Sequence, residues 1–349
     1  MAQASLHINL DAITANWRAL NAKSGTATET GAVVKADSYG LGAGRVSQAL
    51  MRAGVRTFFV AIAEEGAALR KAIGDGPKIY VFSGHMEGDA PLLQNHSLIA
   101  LLNSPQQVQR HFSACSDTPF GIQLDTGMNR LGLEAAEWSE IAPNALALSP
   151  KLIMSHLACS DELEVGMNER QLPEFLRMTQ GVNVPRSLSA TGGILLGPEF
   201  HFDITRPGVG LYGGMPFDDA QRVVTLSLPV IQTRSVAPGE TVGYGNTWTA
   251  QRHSVVATVA AGYADGIHRI LSNRTQLWAD GTACPVIGRV SMDLITVDVT
   301  DLAACPDALD LLGKHQTVDD LAAQSGTIGY EVLTSLGTRY NRSYHVSGA

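Results

Sequence analysis

The feature that most constrains this chain is an alternation. Over the first 210 residues, short apolar runs recur at 32–36, 57–62, 78–82, 98–102, 120–124, 152–156 and 186–189, with a last short one near 201–205. Amphipathic stretches such as 45–52, 64–72, 104–114 and 134–141 lie between them. Ser104 before Pro105 reads as a helix start, a capping hydroxyl followed by proline at the first helical position. Apolar runs spaced by helices predict strands buried on both faces and joined by parallel crossovers. Eight such units predict an α/β chain opening with a (β/α)8 TIM-type barrel rather than an open doubly wound sheet.

The pattern changes after Gly214. Strand-like segments follow one another at 223–234, 254–260, 275–279, 285–287 and 294–299, with turn signals at Pro238-Gly239 and Asp280-Gly281. Only 319–324 and 330–336 look helical. Consecutive strands after alternating units mark a second domain. The expected division is 1–218 for the barrel and 219–349 for a mainly-β domain, with the opening strand 5–10 expected to pair with the latter. A length of 349 residues suits two domains.

Acidic side chains outnumber basic ones, 33 to 25, for a net charge of −8, which argues against a nucleic-acid partner. No apolar run approaches the ~20 residues that span a bilayer. The first residues lack a basic segment leading into an apolar one, so a cytoplasmic protein is expected. Cys115, Cys159, Cys284 and Cys305 are scattered. They read as reduced thiols, and no spacing suggests a metal.

Barrel active sites gather at the C-terminal ends of the strands. Lys35 stands at the end of the first run, in Val33-Val34-Lys35-Ala36-Asp37-Ser38-Tyr39-Gly40-Leu41-Gly42. Taken alone, it fits a snorkelling or salt-bridged lysine as well as a desolvated amine that attacks a carbonyl. The segment resembles the pyridoxal-phosphate lysine motif of the alanine racemases. Further motifs resemble that family in order: Asp125-Thr126-Gly127-Met128-Asn129-Arg130, Ser155-His156-Leu157-Ala158, Arg206-Pro207-Gly208-Val209-Gly210, Val242-Gly243-Tyr244-Gly245, Gly262-Tyr263-Ala264-Asp265-Gly266 and Arg289-Val290-Ser291-Met292-Asp293.

The resemblance implies an isomerase of fold type III that interconverts L- and D-alanine. Its cofactor would be pyridoxal 5'-phosphate, held covalently by Lys35. Lys35 and Tyr244 would be the two acid/base groups, one on each face of the substrate. A phenol is a poor base at neutral pH, so His156, in contact with Tyr244 and Arg206, would favour its phenolate. Arg206 would meet the pyridine nitrogen; arginine donates a hydrogen bond there without supplying a proton. The residues alone also allow an Arg206–Asp203 salt bridge. Arg130 would contact the cofactor's phenolic oxygen and the substrate carboxylate. Gly208 and Val209 would offer backbone N–H groups to the phosphate, with hydroxyls from Tyr39 and Ser189. Met292 would offer a backbone N–H to the substrate carboxylate, Asp293 would fix the local geometry, and Tyr263 would narrow the entrance. Tyr244, Tyr263 and Met292 would come from a partner subunit, giving a head-to-tail homodimer with shared sites.

Two positions depart from the family pattern. Gln123 replaces the lysine that many relatives carry as a carbamate, so no carbamate is expected; the Gln123 amide oxygen would hold Arg130, with room for an anion such as chloride. Thr338 falls where a phosphate-binding tyrosine is usual, and Tyr340 is the candidate substitute. A racemase of broader range, a barrel-only cofactor carrier and a decarboxylase of the same plan are the other readings. The missing export signal, the second domain and Arg206 respectively speak against them.

Overall fold

The computed structural model describes residues 3–346. They form two compact units, one of 13–211 with 216–220, the other of the opening residues with 212–215 and 221 onward.

In the first unit the strands are β2 (Glu29–Thr30), β3 (Ala32–Val33), β4 (Thr57–Val60), β5 (Lys78–Val81), β6 (Ile99–Leu102), β7 (Phe120–Gln123), β8 (Ile153–Met154), β9 (Arg186–Ser187) and β10 (Ile204–Thr205). β3 to β9 pair in chain order, all parallel. β10 pairs with β2, and backbone bonds Arg206 N–Ser189 O and Val33 N–Pro207 O, both 2.9 Å, close the ring. β2 and β3 are one strand interrupted at Gly31, where a Cβ would meet Thr57 O at 2.9 Å. The strand interiors are buried on both faces, which is why they read as unbroken apolar runs. Helices α2 (Ala43–Ala53), α3 (Ala63–Ile73), α4 (Ala90–Asn95), α5 (Pro105–Ala114), α6 (Ala135–Ala147), α7 (Asn168–Met178) and α8 (Thr191–Leu196) alternate with the strands, after α1 (Leu10–Ser24). Ser104 caps α5 by accepting from Gln107 N.

The second unit is mainly β. β1 (Ser5–Asn9) lies between β11 (Val224–Val236), antiparallel, and a parallel strand at Asn341–His345. β11 also pairs with strands Ser254–Val259 and Ala308–Leu312. Asp280-Gly281 makes the two-residue hairpin between Gln276–Ala279 and Thr282–Pro285. Both turn residues have positive φ, the requirement of a tight hairpin. The segment 285–287, expected as a strand, contributes Pro285 to Thr282–Pro285 and otherwise only a bridge from Val286 to Val297. Val318–Ser325 and Gly329–Ser335 are helices.

Among the described residues no helix is long and apolar enough to cross a membrane. All four cysteines are free.

Candidate active site

Lys35 leaves the C-terminal end of the first barrel strand. The next four residues, Ala36 to Tyr39, all have φ between 50° and 57°, forming a left-handed turn without a glycine. Such backbone costs roughly 1–2 kcal/mol per residue, so its surroundings must hold it. Glu65 does so from α3, accepting from Ala36 N at 2.8 Å and Ala61 N at 2.7 Å. Asp37 Oδ1 accepts from Ala43 N, and Gly42 N returns to Asp37 O. The turn buries Tyr39 and leaves Ser38 Oγ buried without a hydrogen-bond partner. Solvent reaches the Lys35 side chain, yet the crowded strand ends hold its amine below the ordinary lysine value. Desolvation is the main cause, the Arg130 charge adds to it, and Glu65 opposes it. That is the environment of a nucleophilic amine rather than of a salt-bridged one.

A cup of donors forms around Gly208. Its N–H and that of Gly210 both donate to Thr191 Oγ1, at 3.0 and 3.3 Å. A Cβ on Gly208 would meet the Tyr39 hydroxyl at 2.5 Å, so glycine leaves the phenol its place. Val209 is buried between the two glycines. Converging backbone N–H groups and hydroxyls suit an anion such as phosphate. The hydroxyl that meets these two N–H groups is Thr191, at the start of α8; the expected Ser189 bonds elsewhere. Ser189 is buried and spends its proton on Phe200 O at 2.7 Å.

Arg206 is buried and donates to Ser187 Oγ, to Ser155 O at 2.8 Å and to Leu188 O at 3.1 Å. Ser187 passes its own proton to Ile204 O. Burial pushes the guanidinium down to about 9, so it stays charged at neutral pH. The Asp203 salt bridge does not form: Asp203 accepts from Arg186 N and lies beside the Arg186 guanidinium. His156 is pushed down to about 3, by burial first and then by the charges of Arg206, Arg130 and Lys35. It is therefore a neutral imidazole at working pH. Its backbone is fixed by Gln171 of α7, which is fully buried, takes the Ala158 N–H and donates to His156 O and Thr126 Oγ1. Gln171 escaped sequence reasoning because its role is second-hand. Arg130 is exposed in a loop shaped by Asp125, whose Oδ1 takes the Gly127 and Asn129 N–H groups. Gln123 is buried, and its amide nitrogen donates to Leu131 O at 3.1 Å. The expected amide-oxygen bond to Arg130 is not formed.

Tyr244, Tyr263 and Met292 belong to the second unit and stand exposed, at 72%, 43% and 54%. Two of their loops are stitched together: Tyr263 N bonds Ser291 O and Ala264 N bonds Met292 O, each at 3.0 Å. Arg339 clamps both, gripping Asp265 with two nitrogens at 2.7 and 2.8 Å and Asp293 with the third at 2.7 Å. Tyr340, the expected phosphate hydroxyl, is buried and donates to Asp265 O at 2.8 Å. Its proton is committed within its own domain, and burial raises the phenol well above its usual value.

A lysine with a depressed amine, a buried arginine and an N–H and hydroxyl cup form a donor set that fits a phosphorylated pyridine aldehyde. Residues 8–216 match the family model described as alanine racemase, N-terminal domain, and residues 223–344 match alanine racemase, C-terminal domain. The chain is 62% identical over 344 residues to an alanine racemase of Cereibacter sphaeroides, covering 99% of each protein. An alanine racemase of Rhizobium meliloti is 42% identical, with 100% of this chain and 98% of that protein covered. A crystal structure of alanine racemase from Bartonella henselae with covalently bound pyridoxal phosphate superposes with a TM-score of 0.94 at 38% identity, over 99% of this chain and 100% of that one.

Proposed function

From the chain's membership of the alanine racemase family, we propose that it isomerises alanine by a two-base mechanism with pyridoxal phosphate as its resident cofactor. Lys35 would hold the cofactor covalently and Arg206 would face its ring nitrogen. His156 and Arg130 would flank it, and Tyr39, Thr191, Gly208 and Val209 would hold its phosphate. When bound, the cofactor acidifies the substrate Cα–H bond by delocalising the electrons left on that carbon. The depressed Lys35 amine takes or returns the proton on one face. Tyr244 does so on the other, and the Met292 N–H and Arg130 orient the carboxylate. A charged arginine donates a hydrogen bond at the ring nitrogen but keeps its proton, which limits how long charge is stored and favours return of the proton to Cα.

The observation that carries this reading is Lys35 at the end of the first barrel strand, followed by a left-handed turn that seats the Tyr39 hydroxyl against Gly208, where N–H groups converge. Neutral His156 alters one detail. It would act on Tyr244 as a neutral hydrogen-bonding imidazole rather than by presenting its own positive charge. The exposure of Tyr244, Tyr263 and Met292 supports their delivery to the site of a second copy in a head-to-tail homodimer. With Gln123 in place, Arg130 works without a lysine carbamate. The D-alanine formed would serve peptidoglycan synthesis in the cytoplasm, or the reverse flux would feed alanine breakdown. The test is loss of optical activity across a panel of L-amino acids with added pyridoxal phosphate. Rapid loss confined to alanine and its smallest homologues is expected. No loss with alanine would overturn the reading.

A further inference from the structure

The loop after β5 and the end of α5 bring together three side chains that the activity does not use. His85, His111 and Cys115 are all buried, and one ligand-type atom from each lies within 4.8 Å of the others. His111 and Cys115, four apart, fall on one helix face; His85 arrives from 26 residues earlier, which is why spacing gave no hint.

The hydrogen bonds fix which atoms face inward. His111 Nε2 lies 3.1 Å from Thr118 O. A carbonyl only accepts, so His111 carries its proton on Nε2 and its lone pair on Nδ1. That Nδ1 is 3.2 Å from His85 Nδ1, close to the separation of two nitrogens each ~2.0 Å from one tetrahedral ion. Thr118 also donates its backbone N–H to Cys115 O at 2.9 Å, so one residue orients the His111 ring and ties down the backbone that carries Cys115, the outer-shell support that metal ligands use. The loop is also pinned. Gln107 donates to Ser83 O and Arg110 to His85 O, both at 2.9 Å. Gly84 has positive φ, and a Cβ there would run into Gln107 Oε1.

We propose that His85 Nδ1, His111 Nδ1 and Cys115 Sγ form a binding site for a soft monovalent cation, Cu(I). Two neutral imidazoles and one thiolate carry a single negative charge, which Cu(I) cancels. The charges facing His85, Asp89 and Arg110, oppose each other, so the buried site closes neutral. A divalent ion such as Zn2+ would leave a net positive charge and require a fourth ligand. Asp89 is already engaged by the Met86 N–H at 3.0 Å. Soft thiolate with imidazole is the donor set that selects Cu(I). On binding, Cys115 releases its proton to solvent and His85 shifts its proton from Nδ1 to Nε2. Three metal bonds form, copper keeps its oxidation state, and one proton leaves per ion.

The test is anaerobic titration of the holoenzyme with Cu(I) against a chromophoric Cu(I) chelator, followed by X-ray absorption. One tight equivalent, one proton released and a shell of two nitrogens and one sulfur are expected. Cys115→Ser and His111→Gln should each abolish that equivalent, while Cys284→Ser, a buried thiol of the other unit, should keep it. The cofactor's visible absorption reports that each variant has folded, with His85→Gln as the alternative if Cys115→Ser has not. Unchanged stoichiometry in Cys115→Ser, a sulfur-only shell, or one equivalent of Zn2+ bound in preference to Cu(I) would overturn the proposal.

Discussion

The two units position their share of the chemistry in opposite ways. In the barrel, Arg206, Ser187, Thr191 and Gln171 are buried and bonded to one another's loops. Each constrains the next, so the donor set is rigid before anything binds. In the β unit, Tyr244, Tyr263 and Met292 are among the most exposed large side chains, although the loops beneath two of them are clamped by Arg339. The barrel builds a holder that is complete within its own fold. The β unit builds a firm base and leaves the side chains proposed to act on the substrate facing outward.

The contrast breaks first at Lys35. Lys35→Ala should lower racemisation in both directions by at least about a thousandfold and remove the visible absorption of covalently held cofactor. Retained absorption with lost activity would move cofactor attachment elsewhere. Tyr244→Phe should act differently. It should slow Cα proton exchange from one enantiomer by roughly 10²–10⁴-fold and from the other far less, read by deuterium incorporation in a single turnover. Equal losses would mean that the exposed tyrosine is not a second base. The proposed sharing of sites between two copies sharpens the point: mixing Lys35→Ala with Tyr244→Phe chains should then restore part of the activity, because one hybrid site holds both wild-type groups.

Acid should undo the barrel's arrangement before the β unit's. His156 lies near 3 when folded, against about 6.5 for an unperturbed histidine. Between those values the unfolded chain binds a proton that the folded chain refuses, so stability falls as pH drops from about 6.5 toward 3 and is fully present above it. His85 and His111, also depressed by burial, push the same way. Urea titrations from pH 7 to 5 should show the loss, and His156→Gln should flatten it. In the β unit, Arg339→Leu should raise KM for alanine roughly tenfold with a smaller change in kcat, since a freed Asp265–Asp293 pair loosens the Met292 loop at a cost of about 1–3 kcal/mol. Arg339→Lys should restore part of the affinity. An unchanged KM would separate the clamp from substrate binding.

Much of this was legible in the chain, for physical reasons that also explain the rest. Barrel strands read clearly because burial on both faces leaves unbroken apolar runs, as in Thr57–Val60 and Ile99–Leu102. Short strands of the β unit did not. Ala308–Leu312 and Asn341–His345 owe their pairing to partners distant in sequence. The Lys35 motif located the amine. The left-handed turn beside it left no trace, because Ala36, Ser38 and Tyr39 carry no preference for positive φ. Proximity defeated sequence reasoning at Arg339, which meets Asp265 across 74 residues.

The phosphate cup gives the smallest and most pointed test. Ser187, Ser189 and Thr191 offer three hydroxyls within five residues, and the family resemblance implied Ser189. Geometry assigns them different work. Ser189 satisfies Phe200 O inside the barrel wall, whereas Thr191 meets the Gly208 and Gly210 N–H groups. A hydrogen bond is worth about 1 kcal/mol net, so Thr191→Ala should weaken cofactor affinity ~5-fold, and it also costs the cofactor-free protein about 1–3 kcal/mol of stability because the buried Gly208 and Gly210 N–H groups lose their acceptor. Ser189→Ala strands a buried carbonyl and should cost about 1–3 kcal/mol of stability with cofactor affinity unchanged. Equilibrium dialysis with pyridoxal phosphate, paired with thermal melts of the cofactor-free proteins, reads both. Affinity lost with Ser189→Ala and kept with Thr191→Ala would return the cup to the residue that the family resemblance implied.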